Sequence, residues 1–166
     1  RSRIKSGMTS DMSNNKVTAD LIRAVRVESG APILRAKQVL EEVDGDRDKA
    51  VEILRKEGFL KVEKKSDRTT GQGLVVAYTH HTGKIAALVE LLCETDFVAK
   101  NELFRELADS IAMQVASMNP KDSEELLSQD FIKEPSKTIG DLIKEVITKT
   151  GENVRLGRLQ RFEIGE

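Results

Sequence analysis

The chain has 166 residues, a length that suits one domain or two small ones. Lysine and arginine total 27 against 28 aspartates and glutamates, which excludes the basic excess that general nucleic-acid binders use to release counterions. A hydrophobic share of 39% is enough for a packed core, while the apolar runs are too short to span a bilayer, no signal-peptide core follows the N-terminus, and one cysteine makes neither an internal disulfide nor a zinc cluster. The expectation is an intracellular, soluble protein of mixed secondary structure.

Residues 1–16 are polar, Ser-rich and aperiodic, and read as a disordered extension or a non-native leader, with Met8 and Met12 both candidate starts. Residues 17–59 carry three helical bursts. Thr18 can cap the first, with Leu21, Ile22 and Val25 on its apolar face and Ser29-Gly30 as its stop. Pro32 suits the first turn of the second, whose Ile33, Leu34, Val39, Leu40 and Val43 fall on or near one face. Asp46 is placed to cap the third, which carries Ala50, Val51 and Leu54 and is expected to close at Gly58. So small a core is marginal alone and must lean on a partner or on the rest of the chain.

Residues 60–73 read as a charged, then turn-forming linker, with Glu63 to Lys65 fraying off the helix. The period then changes. Leu74 to Thr79 and Lys84 to Cys93 are β-branched or apolar runs around the turn His80-His81-Thr82-Gly83, a hairpin pattern. A long helix with Phe104, Leu107, Ile111 and Val115 on one face follows, then a short acidic helix over Ser123 to Leu127. Thr138 and Asp141 match a capping box opening another helix, Gly151 stops it, and Val154 to Ile164 ends the chain as a strand, bulged at Gly157. Residues 74–166 thus form an α+β unit, an antiparallel sheet of about three strands packed with helices.

Chemistry is sparse. Cys93 ends an apolar strand, where cysteine is usually a small buried hydrophobe, and the adjacent histidines sit at the far hairpin turn. Neither a phosphate-binding loop nor a dinucleotide fingerprint is present, and the carboxylates are dispersed, so no catalytic residue, metal ligand or cofactor is assigned. Glu94 to Asn101 is the segment that stands out. Its plain reading is a strand-to-helix junction, capped by Thr95 or Asp96, with Phe97 or Val98 packed back on the strand. In a chain with five Phe, one Tyr and no Trp, an aromatic on such a corner also suits an anchor for a partner's pocket.

The run ETDFVAKNELF (Glu94 to Phe104) resembles the signature of the elongation factor Ts family, guanine-nucleotide exchange factors for elongation factor Tu. Val17 to Gly58 resembles that family's ubiquitin-associated-like three-helix domain, and Thr148 to Glu166 is similar to the ending of its short bacterial forms. The resemblance implies a protein that makes no bonds itself but binds elongation factor Tu and lowers its affinity for GDP. Phe97 would be the wedge entering the nucleotide domain near its Mg²⁺, Asp96 the polar group positioning it, and Thr95 and Val98 the rest of the segment. Ile33 and Leu34, where the family commonly has methionines, would dock the N-terminal unit, with Arg23 and Lys37 at the rim. With one core half where long members have two, the resemblance also implies a homodimer through the C-terminal sheet, whose edge strand invites pairing. Gln160 stands where some short forms carry a linking cysteine, so no intersubunit disulfide is expected. A bacterial cytoplasmic location follows, an organellar matrix being the alternative, with no direct nucleic-acid or membrane partner. The competing readings are a ubiquitin-binding or other adaptor and, further off, a thiol enzyme at Cys93.

Overall fold

The computed structural model describes residues 17–166, so the candidate starts and the extension over residues 1–16 lie outside the described residues. Helix α1 (Ala19–Ser29) starts where the Thr18 hydroxyl accepts from the Leu21 amide at 3.2 Å, and ends at Gly30, left-handed at φ +70°. Helix α2 (Ile33–Glu42) follows Pro32, and α3 (Arg47–Glu63) is capped by Asp46, which accepts from the Lys49 amide at 3.1 Å. Val25, Ala36, Val39, Leu40, Ala50 and Leu54 form their shared core.

Two expectations need correction. Ile33 and Leu34 do not join the buried stripe of α2, which starts at Ala36 and runs through Val39 and Leu40. They sit on its opening turn, 49% and 74% exposed. Gly58 does not close α3, which continues to Glu63 so that Val62 packs on the second core. The glycine answers to a close crossing, since a Cβ there would lie 2.9 Å from Cγ2 of Thr148.

Strands β1 (Gln72–Thr79) and β2 (Ile85–Cys93) pair antiparallel across the His80–Gly83 turn, where the His80 amide donates to the Ile85 carbonyl. After β2 come α4 (Asp96–Ala99), α5 (Glu102–Met118), α6 (Ser123–Ser128), β3 (Asp130–Phe131), β4 (Glu134–Thr138), α7 (Ile139–Thr150) and β5 (Val154–Glu163). The last strand joins the hairpin in the order β1-β2-β5 and is bulged as expected. Val89 faces Leu159 and Leu91 faces Leu156, leaving Glu90 opposite Gly157 and Arg158. The capping box of Thr138 and Asp141 is formed. The inner face of the sheet (Ala87, Val89, Leu91, Cys93) is buried with Phe104, Ala108, Ile111 and Val115 of α5 and with Ile143 and Ile147 of α7.

The short β3–β4 pair was not expected, because its segment contains Pro135 and four charged residues. Tertiary contact makes it: buried Gln114 on α5 donates to the Asp130 carbonyl and accepts from the Ile132 amide, both at 3.1 Å. Tertiary contact also supports the three-helix unit, which rests on α7. Lys144 lies 5.3 Å from the Phe59 ring centroid, Glu145 faces Arg55 at 3.7 Å, and Thr148 meets Gly58. No helix among the described residues is long and apolar enough to cross a membrane.

Candidate functional site: an exposed aromatic on a braced turn

Strand β2 runs out at Cys93, and the chain turns through Glu94 and Thr95 into α4. Thr95 is extended (φ −126°, ψ 158°) and is the cap, accepting from the Val98 amide at 3.5 Å; Asp96 is already helical. The expected long helix is thus two pieces, the single turn α4 and then α5, capped anew by Asn101. Within that turn Val98 and Ala99 go into the core at 8% and 6% exposure, while Phe97 faces water at 83%. Of the two alternatives for packing against the strand, Val98 is the one realised.

A four-residue helix has almost no stability of its own, so its placement comes from outside. Burial of Val98 and Ala99 supplies part of it, and the turn after α7 supplies the rest. The Glu152 carboxylate accepts from the Thr95 amide at 3.0 Å and from the Thr95 hydroxyl at 2.6 Å. Reciprocally, the Glu94 carboxylate accepts from the Asn153 amide at 2.6 Å. Buried Asn153 ties the same corner to the segment after α3, donating to the Ser66 and Arg68 carbonyls at 3.2 and 2.9 Å. None of these partners was legible beforehand, since Thr95 and Glu152 are 57 residues apart; the one available hint was two polar residues wedged between Gly151 and an apolar strand.

Asp96 is exposed and meets Lys100, one turn on, at 2.8 Å. The Lys100 ammonium bonded to it holds its carboxyl below the usual aspartate range. The second group of expected residues lies elsewhere. Ile33 and Leu34 open α2, Arg23 sits 3.7 Å from Asp20, and Lys37 sits 3.7 Å from Glu41, all on the exposed surface of the three-helix unit. The structure therefore forms two patches on separate cores, one around Phe97 and one around Leu34.

Cys93 is fully buried, its thiol donating to the Thr95 carbonyl at 3.1 Å. Burial and then the negative charge of Glu152 push that thiol up, the reverse of what activates a nucleophile. His80 and His81 lie at the opposite end of the hairpin, their ring centroids 4.1 Å apart and their planes tilted by 53°. Among the described residues no group of three or more His, Cys, Asp or Glu is placed to hold a metal ion.

A bulky apolar side chain held in water by a rigid frame has the geometry of an anchor for a pocket on another protein. An α+β chain presenting an exposed aromatic on a braced turn is the class that the fold and site define. A model of the family described as "Elongation factor TS" matches residues 94–166, the stretch that contains both this turn and its brace. Proteins named "Elongation factor Ts" are similar along most of the chain. The one from Thermotoga maritima is 41% identical, covering 91% of this chain and 98% of the relative. That of Petrotoga mobilis is 38% identical over 90% and 99%, and that of Oleidesulfovibrio alaskensis 36% identical over 90% and 98%. The chain belongs to the elongation factor Ts family. The alignment with the Thermotoga relative extends over 194 positions, more than the 166 residues here, so that relative carries residues with no counterpart in this chain.

Proposed function

We propose that this protein is a guanine-nucleotide exchange factor that binds elongation factor Tu in its GDP form and promotes GDP release, without making or breaking bonds itself. The observation that carries the reading is Phe97, 83% exposed at the tip of a braced turn inside the stretch matched by the family. Phe97 enters the nucleotide domain as a wedge, Asp96 and Lys100 form its polar flank, and Thr95 and Val98 fix the turn from below. Displacing the bound Mg²⁺ removes the charge that neutralises the phosphates, and the nucleotide loosens. By linkage, GDP weakens the protein's own hold by the same factor, so exchange passes through a nucleotide-free complex. Ile33 and Leu34 dock the three-helix unit, a ubiquitin-associated-like domain, with Arg23 and Lys37 at the rim.

The protein works as a homodimer through its C-terminal sheet. Support comes from the sheet's outer face, where Val75, Leu88 and Phe162 are exposed on the three strands in turn. Its setting is the cytoplasm, the partner is protein rather than nucleic acid or membrane, and no cofactor is needed.

The test is release of a fluorescent GDP analogue from elongation factor Tu in excess unlabelled GDP. Strong acceleration at substoichiometric protein supports the reading. No acceleration with a compatible Tu overturns it and leaves the adaptor alternative, which requires the first three helices to bind ubiquitin and Phe97 to be dispensable.

A further inference from the structure

The bonds from Glu152 to Thr95 reach beyond local folding. The Thr95 hydroxyl donates to Glu152 at 2.6 Å and itself accepts from the Val98 amide, so carboxylate, hydroxyl and helix start form one chain ending beside Phe97. Glu152 follows Gly151, the left-handed residue (φ +79°) that terminates α7. The same helix carries the three-helix unit, through Lys144 at Phe59, Glu145 at Arg55 and Thr148 at Gly58. Val98 and Ala99 seat α4 on the sheet and the Cys93 thiol donates to the Thr95 carbonyl at 3.1 Å, but these hold it to its own strand. The Ala99 amide on the Thr95 carbonyl at 3.2 Å and the Lys100 amide on the Asp96 carbonyl at 3.1 Å are bonds within the turn. Glu152 is the side chain that ties Thr95 to the end of α7.

Resting on the exchange reading, we infer that Glu152 is a positioning residue for Phe97. Its carboxylate fastens the wedge turn to the end of α7, so that the Phe97 and Leu34 patches are presented in one frame. Preorganisation of this kind means that binding energy is not spent on ordering the turn when the partner arrives.

The inference makes reach, not charge, the property that matters at this position. Glu152→Asp keeps the charge but withdraws the carboxylate by about 1.5 Å, the length of one carbon–carbon bond. Glu152→Gln loses the charge but keeps the reach. Its carbonyl accepts from the Thr95 amide, and its NH₂ donates to the Thr95 oxygen once the hydroxyl hydrogen rotates away.

The chain has no tryptophan, so Phe97→Trp places a sole indole reporter at the tip. In that background the expected result is a larger fast component of indole anisotropy decay for Glu152→Asp, and a decay like the parent's for Glu152→Gln. In the otherwise natural chain, Glu152→Asp should lower the saturating rate of GDP-analogue release about tenfold, the equivalent of roughly one charge-assisted hydrogen bond. The half-saturating concentration should move less than the rate, and Glu152→Gln should restore most of the loss. An unchanged indole signal for Glu152→Asp overturns the assignment. So does a Gln variant as impaired as the Asp one, or a loss confined to the half-saturating concentration. Thr95→Val removes the hydroxyl bond from the other side. It must also loosen the reporter, and rigid behaviour there overturns the assignment even if Glu152→Asp does not fold. If the natural chain fails to accelerate GDP release, the exchange reading falls, while the anisotropy comparison, which needs no partner, still decides the brace.

Discussion

Replacing Phe97 with alanine separates the proposed wedge from the fold that presents it. The residue is 83% exposed, so a pocket that accepts it whole removes roughly 150 Å² of apolar surface from water. At about 25 cal/mol per Å² that burial is worth about 3.75 kcal/mol. The methyl group kept by alanine returns about 0.8 kcal/mol of it. The net loss of about 3 kcal/mol corresponds to a fall in kcat/KM for GDP release on the order of 100-fold. Stability should hardly change, because an exposed side chain away from caps and core moves unfolding by within about 0.5 kcal/mol. For a chain of this size that is roughly 1–2 °C in Tm. Stopped-flow release of a fluorescent GDP analogue, run beside a thermal melt, reads both quantities. Normal exchange by Phe97→Ala refutes the wedge. A large fall in Tm refutes the premise that the ring faces water in the free protein.

Three other outcomes are expected. Leu34→Ser, at a position 74% exposed, should raise the half-saturating concentration in the exchange assay several-fold and leave the saturating rate and Tm nearly unchanged. If the proposed homodimer forms through the outer sheet face, Leu88→Glu on its central strand should turn it into monomers by sedimentation velocity at micromolar concentration without loss of helix signal. Gly58→Ala should destabilise the natural chain despite alanine's advantage of about 1 kcal/mol in a helix, because its Cβ would lie 2.9 Å from Cγ2 of Thr148. In a Thr148→Ala background the same change should become stabilising, a reversal of sign that denaturant titration can read.

Legibility followed sequence distance. Elements whose signals are local were readable: the Thr18 and Asp46 caps, the Thr138–Asp141 box, the hairpin turn after Thr79 and the bulge at Gly157 all involve residues within a few positions or a break in a simple period. Gly58 misled because glycine near the end of an apolar stripe has two meanings, a stop or a close approach, and only the position of Thr148 decides between them. Ile33 and Leu34 misled in a milder way, since the apolar residues of α2 span more than one face and the neighbouring helices select the stripe that is buried. At the site, the ring and its flanking residues were visible as an aromatic at a junction. The choice of Val98 over Phe97 for burial, and the bonds from Glu152 and Asn153, depend on pairings across 57 residues or more that no local pattern carries.

Under the proposed exchange function, two patches on one frame divide the task in a way that follows from linkage. A contact made equally with the nucleotide-bound and nucleotide-free partner tightens docking but shifts no equilibrium between them. Leu34 and Ile33, on a unit whose core is separate from that of α4, are suited to that role. Only a contact that requires the partner to deform generates coupling, and a ring on a braced turn is suited to it because the turn does not yield first. The burial energy of Phe97 beyond that of alanine, about 3 kcal/mol by the area argument, then sets the scale on which this contact can weaken GDP. Reciprocity makes the same figure the scale on which returning nucleotide ejects the ring. A much larger apolar wedge would stall release of the exchange factor, and a smaller one would leave GDP bound. On the proposed reading, a single exposed phenylalanine is thus an anchor of the size that turnover needs.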